Sequence, residues 1–155
     1  MKSIFNATDR AAILKRIDSL TQAHKPLWGT MSVAQMARHC ALCEEYYYGK
    51  IKVGRSLIGR LFGRSAIKGI LKDDKATLQK NAPTASPFKV TAPITDLEPE
   101  KRRWKVLVAE YAFFEQEEFV HWFFGRLSKQ ELGQFIYKHC DHHLRQFGVD
   151  EDLGE

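Results

Sequence analysis

The chain has 155 residues, 44% hydrophobic and 28% charged, enough apolar material for one domain with its own core and no need of disulfides. A formal charge of +5 and a pI near 9.1 are mildly basic and do not by themselves indicate nucleic acid. No apolar run approaches the roughly 18 residues of a membrane-spanning helix, which excludes an integral membrane protein.

The start, MKSIFNATDR, has no apolar stretch behind its basic residue, and the three cysteines, Cys40, Cys43 and Cys140, are an odd number. Together these predict a cytoplasmic protein with reduced thiols. Asp9 or Thr8 leads into a first helix over roughly 8–23, on which Ile13, Leu14, Ile17 and Leu20 recur at helical spacing. Pro26 and Gly29 interrupt the chain, and Ser32 opens a second helix with Gln35 placed for a capping box; Gly49 or the IKVG segment ends it.

From Lys50 to Lys72 the chain is basic and punctuated by glycine, predicting one or two short amphipathic helices. Arg60, Arg64, Lys68 and Lys72 recur every four residues, with Leu57, Ile58, Leu61, Phe62, Ile67 and Leu71 on the apolar side. The plain expectation is a solvated basic face covering the bundle; the alternative is a binding module for an anionic membrane surface or nucleic acid. Residues 73–97 are proline-containing and predict an irregular crossing segment. A third long helix follows from about Glu98 through the HWF at 121–123, with Pro99 in its first turn. Ser128 and Glu131 form a second capping box for the last helix, Gly148 ends it, and the acidic tail frays. With no convincing strand pattern, the class is all-α: a four-helix bundle with a long irregular crossing segment and short accessory helices, one domain over 1–150 and a flexible acidic tail over 151–155.

Three of the six histidines, His139, His142 and His143, fall within five residues. On a helix, Leu132, Ile136, His139, His143 and Phe147 share one stripe, with Lys138, Asp141 and Arg145 on the opposite, solvent face and His142 at the edge. The same construction places Met36, His39 and Cys43 on the inner face of the second helix. Inward imidazoles need partners for their nitrogens. Two histidines at i, i+4 with a third from a facing helix make three nitrogen ligands and leave a position open. Adding Cys43 would close the set as a structural zinc site, and plain hydrogen bonding to carbonyls or carboxylates is the third option; spacing leaves all three open. Glu115 and Glu118 receive no side.

The pieces WGTMSVAQMARHC (28–40), HWFFGRLSKQELG (121–133) and YKHCDHHLRQFGV (137–149) resemble the DinB/YfiT-like superfamily of four-helix bundle metalloenzymes, within a subfamily classed as a domain of unknown function. The resemblance implies a divalent metal, Zn, Ni, Fe or Mn, held by His39, His139 and His143. It also implies a small-molecule substrate, such as a low-molecular-weight thiol, in a thiol-dependent transferase or hydrolase. Where relatives end in HHRGQ this chain has His142-His143-Leu144-Arg145-Gln146, keeping the glutamine and losing the Arg-Gly pair. Gln146 faces inward and would orient a ligand or bound water. His121, in HWFFG where relatives carry HPFFG, has the plain role of capping the third helix. Gln146, His142 and His121 are the secondary candidates for a catalytic role. Nucleic acid and membrane are the disfavoured partners, and the aromatic runs Tyr46-Tyr47-Tyr48 and Trp122-Phe123-Phe124 point to a homodimer.

Overall fold

Asn6, not Thr8 or Asp9, caps the first helix, its side chain accepting from the N–H groups of Thr8 and Asp9 in a computed structural model that describes residues 1–150. This helix, α1 (Ala7–Ser19), buries Ile13 and Ile17 and stops four residues earlier than expected because Leu20 turns extended to bury its own side chain. Helix α2 (Val33–Tyr47) begins with the expected Ser32–Gln35 capping box (3.2 and 2.8 Å). The basic segment forms one continuous helix, α3 (Leu57–Ile70), capped by Ser56. The crossing segment is irregular apart from a 3-10 turn, Ser86–Phe88, that buries Phe88. Helix α4 (Leu97–Glu110) carries Pro99 in its first turn, and α5 (Lys129–Gln146) starts on the Ser128–Glu131 capping box. After α5, Gly148 adopts φ +73°, which lets the Val149 N–H reach the Leu144 carbonyl (3.0 Å) and closes the helix end. The expected acidic tail, 151–155, lies outside the described residues.

The third long helix does not run to 123. It ends at Glu110, passes through a 3-10 turn (Tyr111–Phe113), and gives way to an antiparallel hairpin of β1 (Glu118–His121) and β2 (Gly125–Ser128), paired Glu118↔Ser128 through His121↔Gly125. Continuing the helix would have set the carboxylates of Glu115, Glu117 and Glu118 toward its negative end. In the hairpin, Phe119, His121, Gly125 and Leu127 turn inward while Glu118, Val120, Arg126 and Ser128 turn out. This is the period of two expected of strands. Gly125, at φ +83°, supplies the left-handed residue the turn requires. An all-α chain without strands is therefore corrected: the described residues are mostly helical, with five helices and one two-stranded sheet.

Helix α2 packs against α4, α1 against α4 and α5, and α5 against α2 and the hairpin. The face of α5 expected to meet solvent is largely covered. Lys138 is buried, its ammonium donating to the carbonyls of Asp73 (2.8 Å), Asp74 (3.3 Å) and Ala76 (2.6 Å), so it ties the crossing segment down. Asp141 pairs with the buried Arg16 (2.8 Å), and only Arg145 on this face stays exposed.

Of the aromatic runs expected at a dimer face, Tyr46 and Tyr47 lie in the core, and Tyr48, Trp122, Phe123 and Phe124 are half-buried. In helix α3, Gly59, Gly63 and Ile67 face the protein, while Leu57, Ile58, Leu61 and Phe62 face away. A Cβ at Gly59 or Gly63 would fall 2.4 or 2.0 Å from the Phe123 carbonyl oxygen, a separation only glycine permits. Among the described residues no helix is long and apolar enough to cross a membrane.

Candidate metal centre

Helical period brings His39 of α2 and His139 and His143 of α5 into one buried cluster. Ring centroids lie 5.4 Å apart for His39–His139, 4.8 Å for His39–His143 and 4.7 Å for His139–His143. Burial favours the neutral form, and the imidazoles oppose one another's charge; His139 and His143 are held well below the usual histidine range and His39 below it.

The outer contacts fix two tautomers. His39 Nδ1 lies 2.8 Å from the Phe88 carbonyl, which only accepts, so Nδ1 carries the proton and Nε2 presents a lone pair. Gln146 Nε2 donates to the Trp28 carbonyl (2.8 Å), which turns its amide oxygen toward His143 Nδ1 (2.9 Å). His143 is therefore also protonated on Nδ1, with Nε2 free. His139 has no such support: its Nδ1 is buried without a hydrogen-bond partner. Leaving one polar atom so costs roughly 1–3 kcal/mol.

Among the described residues, two sets of three donor atoms come within 4.8 Å of one another, His39, Cys43 and His139, and Cys40, His139 and His143; the expected trio His39, His139 and His143 is split between them. His139 belongs to both. Cys43 Sγ lies 3.8 Å from His39 Nε2, and burial pushes both thiols well above their usual range, so without a cation they are protonated. These buried histidine nitrogens and cysteine sulfurs form groups that could hold a metal ion.

The secondary candidates separate. Gln146 is buried and holds His143; the loop that receives it needs Gly29, at φ +79°, because a Cβ there would meet Gln146 Nε2 at 2.8 Å. His142 is half-buried at the rim, its ring 5.1 Å from His143 and 5.5 Å from Trp28. His121 does not cap a helix, since α4 ends well before it. Buried in β1, its Nδ1 accepts from the N–H groups of Phe123 (3.1 Å) and Phe124 (3.2 Å), closing the hairpin turn. The Phe135 ring lies between it and His139, and burial beside Arg55 pushes it down to about 3. Glu115 and Glu118 are exposed, while His24 stays in its loop against Thr21.

Phe88 and Glu44 went unread in the sequence, and the weak C-x-x-C of Cys40 and Cys43 reads first as buried small apolar residues. Phe88 contributes only a backbone oxygen, for which side-chain patterns carry no signal. Cys40 passes for a small apolar residue, since on α2 it lies one residue beyond His39. Glu44, next to Cys43 on α2, is fully buried, accepting from Trp104 Nε1 (3.4 Å), Cys140 Sγ (3.3 Å) and the Tyr111 hydroxyl, and burial pushes its carboxyl up to about 7. Its signal was present: Trp104, Tyr111 and Cys140 are polar-tipped residues at core positions of facing elements.

Neither the curated proteins nor the solved structures include a match to this chain. Residues 2–149 match the family described as protein of unknown function, DUF1569, and the chain belongs to that family.

Proposed function

We propose that this chain, over residues 1–150 as one domain, is a DinB/YfiT-like four-helix bundle formed by α1, α2, α4 and α5. In this reading it is a metal-dependent enzyme of the cytoplasm whose ion is bound by His39, His139 and His143. The observation that carries the reading is the unpartnered Nδ1 of His139, set between two histidines whose Nε2 lone pairs are freed by Phe88 and Gln146. A hydrogen-bonded core histidine would not leave a nitrogen without a partner.

A bound divalent ion supplies a low pKa for a thiol or water, so that the nucleophile exists as an anion near neutral pH. The chain's own part is to orient and exclude water. Phe88 and Gln146 hold two imidazoles in the donor tautomer, and burial keeps all three neutral, leaving the ion's charge undiminished. The substrate is a small molecule, with a low-molecular-weight thiol as the activated partner, and the reaction is a thiol-dependent transfer or a hydrolysis. In this reading Gln146, committed to Trp28 and His143, orients the His143 imidazole, and His142, whose ring lies against His143, contacts the substrate.

Purified protein loaded with Zn, Ni, Fe or Mn and assayed for bound metal should take up one equivalent, and the triple variant His39→Ala, His139→Ala, His143→Ala none. Cys43→Ser separates the open set from the closed one: unchanged uptake leaves three histidines as ligands, and lost uptake makes Cys43 the fourth. Wild-type protein that binds no stoichiometric metal would sink the reading.

A further inference from the structure

Helix α3 is inverted relative to an ordinary bundle helix. Gly59, Gly63 and Ile67 face the protein, the glycines against the Phe123 and Phe124 backbone. Its large residues face away: Leu57 is 77% exposed, Ile58 65%, Leu61 78% and Phe62 61%. At spacings i, i+1, i+4 and i+5 these form one apolar patch over the first two turns. Scattered exposed apolar residues are ordinary, but four together on one helix face mark a contact surface.

The charge around the patch says what it contacts. Residues 50–72 hold Lys50, Lys52, Arg55, Arg60, Arg64, Lys68 and Lys72 and no acidic residue. Arg64 is paired with Glu131 (2.6 Å) and Arg55 donates to the His121 carbonyl (2.6 Å). The side chains of Arg60, Lys68 and Lys72 are exposed and form no ion pair among the described residues. Beside the patch, between α3 and β2, lies a groove of about 470 Å³ lined by Arg55, Arg60, Arg64 and Arg126 together with Glu118 and Glu131. Glu118 pairs with Arg126 (2.6 Å) as Glu131 does with Arg64, so that among the described residues Arg60 is the groove's cation outside an ion pair or carbonyl contact. A second copy of the chain would bring the exposed Arg60, Lys68 and Lys72 of two such faces together, while Glu118 and Glu131 are already paired with Arg126 and Arg64. Nucleic acid would meet the cations and leave the apolar residues uncovered. An anionic bilayer surface satisfies both at once.

We propose that α3 is a membrane-surface helix that lies in the plane of an anionic bilayer. Leu57, Ile58, Leu61 and Phe62 enter the acyl boundary, and Arg60, Lys68 and Lys72 meet headgroup phosphates. The interaction is peripheral and independent of metal.

The test is co-sedimentation of the full chain with vesicles of phosphatidylcholine alone and of equal parts phosphatidylcholine and phosphatidylglycerol. Binding is expected to the anionic vesicles only, and to fall as salt approaches about 1 M, where screening reaches ~3 Å. Leu61→Ser with Phe62→Ser should weaken it at least about tenfold. Arg60→Glu with Lys68→Glu should weaken it about 25-fold or more, at about fivefold for each cation lost. These positions are exposed, so circular dichroism and thermal midpoint should match wild type, and the histidine triple variant should bind vesicles normally. The proposal is overturned by absence of anionic-vesicle binding at low salt, or by binding that the Leu61/Phe62 variant retains. It is equally overturned by a dimer in light scattering that this variant dissolves, or by salt-sensitive duplex DNA binding without vesicle binding.

Discussion

Replacing His121 with asparagine should make the protein more resistant to acid. The imidazole sits buried in β1, its Nδ1 accepting two backbone N–H groups of the hairpin turn, with the Arg55 guanidinium on its own carbonyl. Burial first, then the Arg55 charge, push it down to about 3 from 6.5. A depressed imidazole cannot take up in the folded state the proton that the unfolded chain accepts below 6.5. Its contribution is therefore intact above that pH and is lost as pH falls toward 3. Near pH 5, about 1.5 units below the unfolded value, the loss is about 2 kcal/mol at ~1.4 kcal/mol per unit. Asparagine places an amide oxygen near the position of Nδ1, so the turn keeps its acceptor and the group no longer titrates. Urea unfolding of both proteins at about pH 7.5 and pH 5 should show the stability difference moving by about 2 kcal/mol in the variant's favour. His39, His139 and His143 titrate in both proteins and cancel in the difference. A difference that stays constant across that range would refute the assignment of a buried, neutral His121.

Glu44 works in the opposite direction: raised to about 7 from 4.5, its contribution is full below the unfolded value and is lost as pH rises through the folded one. Over those roughly 2.5 units the loss is about 3 kcal/mol, so Glu44→Gln should gain on wild type by that order between about pH 4.5 and 7 in the same unfolding assay. Gly63→Ala puts a methyl 2.0 Å from the Phe123 carbonyl oxygen and should destabilise by ~1–3 kcal/mol in thermal unfolding. Gly69→Ala, with nothing within 4 Å, should instead stabilise by ~0.5–1 kcal/mol; equal effects would show that α3 does not rest on the hairpin backbone. Gln146→Ala removes the acceptor that fixes the His143 tautomer and should weaken metal binding by roughly 10–100-fold under the proposed function, measured by competition with a chelating indicator.

Capping chemistry was legible to the residue. Ser32–Gln35 and Ser128–Glu131 fix the starts of α2 and α5 because both halves of each box are side chains in the sequence. The inward azimuths of His39, His139 and His143 were legible for the same reason, as a period of 3.6 residues needs no knowledge of partners. What failed were the cases where a neighbouring segment decides. Lys138 looks like a solvent-facing residue until the crossing segment lays three carbonyls over it. The stretch from Glu115 to Phe124 is rich enough in aromatics to continue a helical stripe, and its alternation shows only when Phe119, His121 and Leu127 are matched to one face. In α3 the apolar residues were legible and their direction was not, because the close approach of Gly59 and Gly63 to Phe123 depends on a hairpin that helical periodicity did not predict.

The hairpin thus joins features that look unrelated in the chain. Its turn, Trp122 to Phe124, is held from inside by His121 Nδ1 and receives the glycine face of α3 from outside. Were the turn to open, α3 would lose the backbone ledge it rests on, and the Arg55 contact to the His121 carbonyl with it. Protonating His121 opposes the first of these holds, since an imidazolium cannot accept from the Phe123 and Phe124 N–H groups. The order of events on acidification follows: α3 and the hairpin should lose amide-exchange protection before α2 and α4 do, because α2 and α4 are packed on each other and α2 meets the turn through the Tyr46 hydroxyl, which accepts from the Trp122 N–H (2.7 Å). Simultaneous loss in all four elements would mean that the turn is not the weak point, and that the buried histidines of α2 and α5 set the acid limit instead.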